Sequence, residues 1–217
     1  YKAMKDINPN KSPGPDGFTS HFYCHSWDII GQDVIKAVRS FFQSNQMLKA
    51  ANATYIALVP KTVNPSMVKD YRPISCCNTI YKCISKLLAA RLKNCLPHII
   101  SGNQTAFIPG RLMTKNILLA HDIIRGYSSK TISPRGAMKV DIMKAFDSLN
   151  WDFIHHVLLA FGFPTRFINW IMACISTASF SMAINGSLEG YFPGKSGIRQ
   201  GDPISPYTFV LCMEVLS

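Results

Sequence analysis

The chain has 217 residues, 47% of them hydrophobic and 16% charged, which allows a real core and excludes a disordered, highly charged class. No apolar run is long enough to span a bilayer and the first residues do not read as a secretion signal, so a membrane protein is not expected. The net charge of +11, from 23 basic against 12 acidic residues, favours a polyanionic partner, although a solvated basic surface has the same composition.

In chain order, residues 8–17 form a turn-rich loop of three prolines and two glycines, Asn-Pro-Asn-Lys-Ser-Pro-Gly-Pro-Asp-Gly. Thr19 reads as the N-cap of a helix carrying Phe22, Tyr23 and Trp27, and a second helix is expected over residues 32–45. Thr54 to Val59 is a β-prone run closed by Pro60. From Asn78 to Leu96 one apolar face (Ile80, Ile84, Leu87, Leu88, Cys95) opposes Lys82, Lys86 and Lys93, which predicts a basic amphipathic helix. A loop from Gly102 to Arg111 precedes a helix over 114–127, and residues 137–142 read as a strand carrying Asp141.

Trp151, Ile154, Leu158 and Phe161 recur at helical spacing and stop at Gly162 and Pro164. Phe167, Ile171 and Ile175 mark another helix. Residues 180–184 and 191–195 read as paired strands across Asn185-Gly186, with a last helix from Pro206. Helices and strands without regular βαβ alternation predict an α+β fold. The seven cysteines, an odd number without a C-x-x-C pair, read as buried thiols of a reducing compartment, hence an intracellular protein of nucleus or cytoplasm. A non-Met first residue and an end inside the apolar run Phe209 to Leu216 read as a piece of a longer product.

The segment that carries most chemistry is Lys139-Val140-Asp141-Ile142-Met143-Lys144-Ala145-Phe146-Asp147. An acid at a strand end before a turn can hold a divalent cation beside a phosphate, since Mg²⁺ takes few protein ligands, all hard oxygens. An isolated Asp there more commonly caps the next helix.

Taken together the motifs decide between those readings. Asp141 to Asp147 resembles motif A of reverse transcriptases, in the form found in LINE (non-LTR) elements and group II introns. Asn10 to Phe18 resembles the N-terminal extension motif of that group. Ile56 to Lys61 and Asp70 to Ser75 are similar to its fingers motifs, and Gln104 to Arg111 with Asn116-Ile117-Leu118 to the motif before motif A. Gly197 to Pro206 with Phe209 resembles motif B. Five motifs in family order, from residue 10 to the C-terminus, are far more specific than any one of them. Phe at position 146 and the Cys-Cys-Asn sequence after Arg72-Pro73-Ile74 favour the LINE type over a group II intron or retron enzyme.

The resemblance implies a right-hand polymerase, with fingers over residues 1–133 and an incomplete palm over 134–217. It implies RNA-directed DNA synthesis from dNTPs on an RNA template and a DNA primer. Two Mg²⁺ ions are implied, bound in part by Asp141 and the Ile142 carbonyl. Lys61 and Arg72 match the residues that hold the triphosphate, and an Arg fork suits phosphate oxygens. Lys61 by itself reads equally as a solvated strand end. Phe146 matches the sugar gate, and by itself reads as a core aromatic. Gln200 and Gly201 match the residues beneath the nascent base pair. The proline-rich loop and Lys82, Lys86 and Lys93 read either as RNA contacts or as a rigid connector and a solvated face. No aromatic-Ala-Asp-Asp turn, the family's second acidic motif, occurs, so the chain alone is expected to be inactive. The alternative outside the enzyme class is a non-catalytic nucleic-acid-binding remnant.

Overall fold

The computed structural model describes residues 1–125, 127 and 138–216. Two short helices, α1 (Lys2–Lys5) and α2 (Ser20–His25), lead into α3 (Trp27–Ser44). Thr19 caps α2 as expected, its hydroxyl accepting from the Phe22 amide at 3.4 Å. Helix α3 starts five residues before the expected 32, because Ser26 ends α2 and caps α3 at once. Within it Gly31 leaves room for the Trp27 ring, 2.8 Å from where a Cβ would stand.

Strand β1 (Ala53–Pro60) matches the expected run, and a 3₁₀ turn, Val68–Asp70, leads to β2 (Tyr71–Cys77). Strand β2 was not expected, because Pro73 removes a ladder donor. It is tolerated because β2 is an edge of the sheet, ordered β2-β1-β3-β4. Helix α4 (Thr79–Ile99) follows, then α5 (Met113–Arg125), α6 (Trp151–Ala160) and α7 (Thr165–Ser176). The hairpin of β3 (Ser179–Ile184) and β4 (Ser187–Pro193) turns on Asn185 (φ 49°) and Gly186 (φ 87°), and its second strand starts earlier than predicted. Strand β3 runs parallel to β1, pairing Thr54 with Phe180, so the hairpin extends the β1–β2 sheet. Helix α8 (Ser205–Glu214) closes the chain.

The strand expected over 137–142 is not formed at the described residues 138–142, and Ala137 lies outside the described residues. The four described strands pair among themselves, and strand propensity without a partner ladder yields no strand. Met138 and Val140 are accordingly exposed. Residue 126 of the expected helix over 114–127, and the 133/134 domain boundary, also lie outside the described residues.

Helix α4 is the central strut. It buries Tyr81, Ile84, Leu88, Leu92 and Leu96 in one core cluster with residues of α6, α7 and α8. Truncating such a leucine to Ala costs about 2–5 kcal/mol. The expected two-face division of α4 is too simple: Lys82 is buried and Cys95 is exposed.

Candidate nucleotide-binding site

Strands β1 and β2 are joined by a loop closed at its base. The Lys61 amide donates to the Asp70 carbonyl at 2.7 Å, and Lys61 Nζ to the Lys69 carbonyl at 2.8 Å. The Asp70 carboxylate accepts from the Ser66 and Met67 amides at 3.1 and 3.0 Å. Those amides, Met67 foremost, hold its carboxyl below the usual range. Val59 pairs with Arg72, so the antiparallel register brings Lys61 and Arg72 to the same end of the sheet.

Below that end lies a cavity of about 850 Å³. Arg72 lines it from β2, Lys61 and Lys69 from the loop between the strands, Gln200 from a facing loop, and residues 143–145 and Asp147 from a third side. Lys144 adds a fourth cation, against Asp147 as the lining carboxylate. Clustered cations with one Arg fork suit a polyphosphate.

The facing loop is held by backbone. The Ser75 amide donates to the Gln200 carbonyl at 2.8 Å. Gly201 has φ 103°, and a Cβ there would stand 3.2 Å from the Ser75 carbonyl oxygen, so both conformation and space call for glycine. The third side is a turn in which the Asp147 and Ser148 amides donate to the Lys144 carbonyl at 2.9 and 3.0 Å. It is tied to the facing loop by the Ile198 amide on the Phe146 carbonyl (2.9 Å) and the Gly197 amide on the Leu149 carbonyl (2.7 Å). Trp151 Nε1 donates to the Gly197 carbonyl at 2.8 Å.

Three of the residues singled out in the sequence, Lys61, Arg72 and Gln200, therefore converge on one cavity. Gly201, next to Gln200, lines a separate groove. Phe146 lies in the turn, but its ring stacks on Phe209 at 4.9 Å and is not among the lining residues. Asp141 is exposed, and Ile142 is exposed beside it. Among the described residues no three His, Cys, Asp or Glu side chains cluster to hold a metal ion, so the residues present do not complete the implied two-metal site.

Residues 59–217 match the family model described as reverse transcriptase (RNA-dependent DNA polymerase). The chain belongs to the reverse transcriptase family. It is 29% identical over 98% of its length to the Transposon TX1 uncharacterized 149 kDa protein of Xenopus laevis, covering 16% of that protein. It is 26% identical over 97% of its length to the Pol polyprotein of type-2 retrotransposable element R2DM of Drosophila melanogaster, covering 19% of it. Against a type-1 R2 element polyprotein of Popillia japonica the identity is 24%, over 99% of this chain and 29% of the relative. The chain thus spans less than a third of the length of these relatives. The LINE-type reverse transcriptase resemblance and the α+β, reverse transcriptase-like fold expected from the motifs are borne out.

This reverse transcriptase chain has a second cavity of about 500 Å³, the groove behind Gly201. Lys11, Lys82, Lys86 and Lys93 line it with Pro203 and Tyr207, so the lysines of α4 do share a basic surface. Lys82 Nζ donates to the Ser12 carbonyl at 2.7 Å, Lys86 to the Asp6 carbonyl, and burial lowers the Lys82 pKa. The proline-rich loop is fastened beside it. A Cβ on Gly14 would stand 2.3 Å from the Asn78 backbone nitrogen, Asn78 Oδ1 accepts from the Asp16 amide (3.2 Å), and Thr79 donates to the Phe18 carbonyl (2.7 Å). The loop is thus fastened to the start of α4, and its first residues border the basic groove. No described helix is long and apolar enough to cross a membrane.

Sequence reasoning missed one constellation. Asp202, which reads as part of a nucleotide-contact loop, is buried, and so is Arg199, three residues before it. Their side chains meet at 3.2 Å. The signal was an Arg and an Asp three apart flanking Gln-Gly, but only the fold shows that both point inward.

Proposed function

We propose that the parent protein is an RNA-directed DNA polymerase that transfers dNMP from dNTP to the 3′-hydroxyl of a DNA primer on an RNA template. The observation that carries this is the convergence of Lys61, Arg72 and Gln200 on one cationic cavity. Arg72 and Lys61 hold the triphosphate and stabilise charge on the pyrophosphate as it leaves. The primer 3′-oxygen forms a bond to the α-phosphorus while the bond from that phosphorus to the oxygen bridging it to the β-phosphate breaks. The amide of Gln200 contacts the nascent base pair, and the basic groove behind Gly201 takes the RNA backbone.

The family uses divalent metal ions. Asp141 and the Ile142 carbonyl are the part of a Mg²⁺ site that this chain offers. Phe146, one residue from the lining Ala145 and Asp147, is proposed as the sugar gate. The division into fingers (1–133) and partial palm (134–217) is proposed with it. Residues 1–217 alone are proposed inactive, since no second acidic pair accompanies Asp141.

Primer extension on an RNA template tests the set. In the intact parent protein, Arg72→Ala raises the KM for dNTP by about tenfold or more, the loss of a charge-assisted contact. Phe146→Ala admits ribonucleotides while dNTP use persists. Purified residues 1–217 give no product. An unchanged dNTP KM in both Arg72→Ala and Lys61→Ala overturns the cavity assignment.

A further inference from the structure

One short loop separates the triphosphate cavity from the basic groove, and its two ends are locked into the interior by an ion pair. Arg199 is 5% exposed and Asp202 2%, with 3.2 Å between guanidinium and carboxylate. Arg199 spends its other terminal donors on Asn52 Oδ1 (2.8 Å), Thr54 Oγ1 (3.0 Å) and the Cys174 carbonyl (2.9 Å). Its guanidinium lies 3.9 Å from the centre of the Tyr81 ring. Asp202 accepts from the hydroxyls of Tyr81 and Ser85. Arg199 is thereby tied to β1 and α7, and Asp202 to α4.

The two residues between the charges serve different cavities. Gln200 lines the cavity and Gly201 lines the groove, while neither Arg199 nor Asp202 is among the residues lining the cavity with Lys61 and Arg72. Between the two charges, the Ser75 amide donates to the Gln200 carbonyl and Gly201 approaches Ser75 closely, while the flanks are held by the Gly197 and Ile198 amides on the Leu149 and Phe146 carbonyls and by the Ile204 amide on Ser85 Oγ. Burying two charges is expensive, and an apolar pair of the same volume would give the core at least equal stability. What the apolar pair could not supply is a fixed direction at each end of the loop, because the guanidinium fork and the doubly bonded carboxylate each accept one geometry.

We propose that Arg199 and Asp202 form a positioning clamp, which sets Gln200 and Gly201 at the spacing that lets a strand in the groove and a dNTP in the cavity meet as a base pair. The proposal rests on the polymerase reading above. The clamp acts through Gln200 and Gly201, so its failure appears as poorer binding and poorer discrimination of the incoming nucleotide.

Single-nucleotide primer extension by the intact parent protein tests this, with Asp202→Asn as the first variant. The dNTP KM rises about tenfold, as expected for a misplaced contact group. Selectivity for the matched over the mismatched dNTP falls with it, and primer–template Kd stays within about twofold because the groove lysines are untouched. A purely structural pair predicts another pattern: a lower Tm and less active enzyme, hence a lower apparent kcat, with the KM of the surviving enzyme unmoved. That pattern overturns the clamp. If Asp202→Asn does not fold, Tyr81→Phe and Ser85→Ala each remove one hydroxyl from Asp202, and an unmoved KM in both overturns it equally. Failure of the two readings is separable: wild-type parent protein without RNA-templated synthesis defeats the polymerase reading and the clamp with it, whereas active wild type with unmoved KM defeats the clamp alone.

Discussion

The walls of the cavity and the segment that leads into it from Asp141 are held in opposite ways. The side formed by β1, β2 and residues 197–204 is interlocked, with Arg199 reaching three separate elements and the Ser75–Gln200 bond closing the gap. The stretch that carries Asp141 is open: Met138, Val140 and Met143 are exposed, and the backbone bonds to residues 197 and 198 begin at Phe146. The first owes its geometry to contacts within the chain, and the second gets little support from the described residues. The proposed triphosphate contacts and the proposed metal ligand Asp141 therefore differ in what holds them, although one motif-bearing sequence encodes both.

The largest expected effect contrasts the two regions directly. Arg199→Ala strands a buried carboxylate and costs about 3–5 kcal/mol. Asp141→Ala, on an exposed residue, changes stability by less than about 0.5 kcal/mol. Thermal unfolding of both variants measures this, and comparable losses would show that the two regions are equally embedded.

A smaller effect is expected where the proline-rich loop meets α4. Gly14→Ala drives a methyl into the Asn78 backbone and costs about 1–3 kcal/mol. Gly102→Ala meets nothing within 4 Å and needs no positive φ, so it is neutral or stabilising by a few tenths of a kcal/mol. Chemical denaturation of the pair tests how firmly the N-terminal segment is fixed, and equal midpoints would count against that fastening.

The smallest effect concerns the loop that presents Lys61. Asp70 has a carboxyl pKa depressed by the Met67 and Ser66 amides, so its contribution is present above the ordinary value of 3.8 and is lost as pH falls through the lower folded value. Amide chemical shifts of Ser66 and Met67 should move together in that acid window in the wild type and stay flat in Asp70→Asn. Shifts that move alike in both proteins would assign the loop closure to other groups.

Much of this molecule was legible because its signals are local. Thr19 as a cap, the Trp151–Phe161 periodicity and the Asn185-Gly186 turn each involve groups a few residues apart, and each produced the element expected. The ordered motifs led to the family, since Lys61, Arg72 and Gln200 belong to separate short patterns that can be read without knowing where they meet. Strand β2 was missed because Pro73 is unfavourable in any strand until its edge position is known. The strand over 137–142 was expected because β-propensity is local, whereas a ladder partner is not.

By itself the sequence determined the α+β class and the basic character through composition and short spacing, and its ordered motifs led, by resemblance, to the reverse transcriptase family and the residues to examine. The tertiary structure alone decided that Lys61, Arg72 and Gln200 share a cavity, that β3 joins β1 in parallel, and that Arg199 and Asp202 are buried. Those outcomes depend on contacts between residues far apart in the chain, as between Arg199 and Asn52, 147 positions apart. Burial turns a charge that would be solvated in isolation into a directional constraint, and only the fold creates burial.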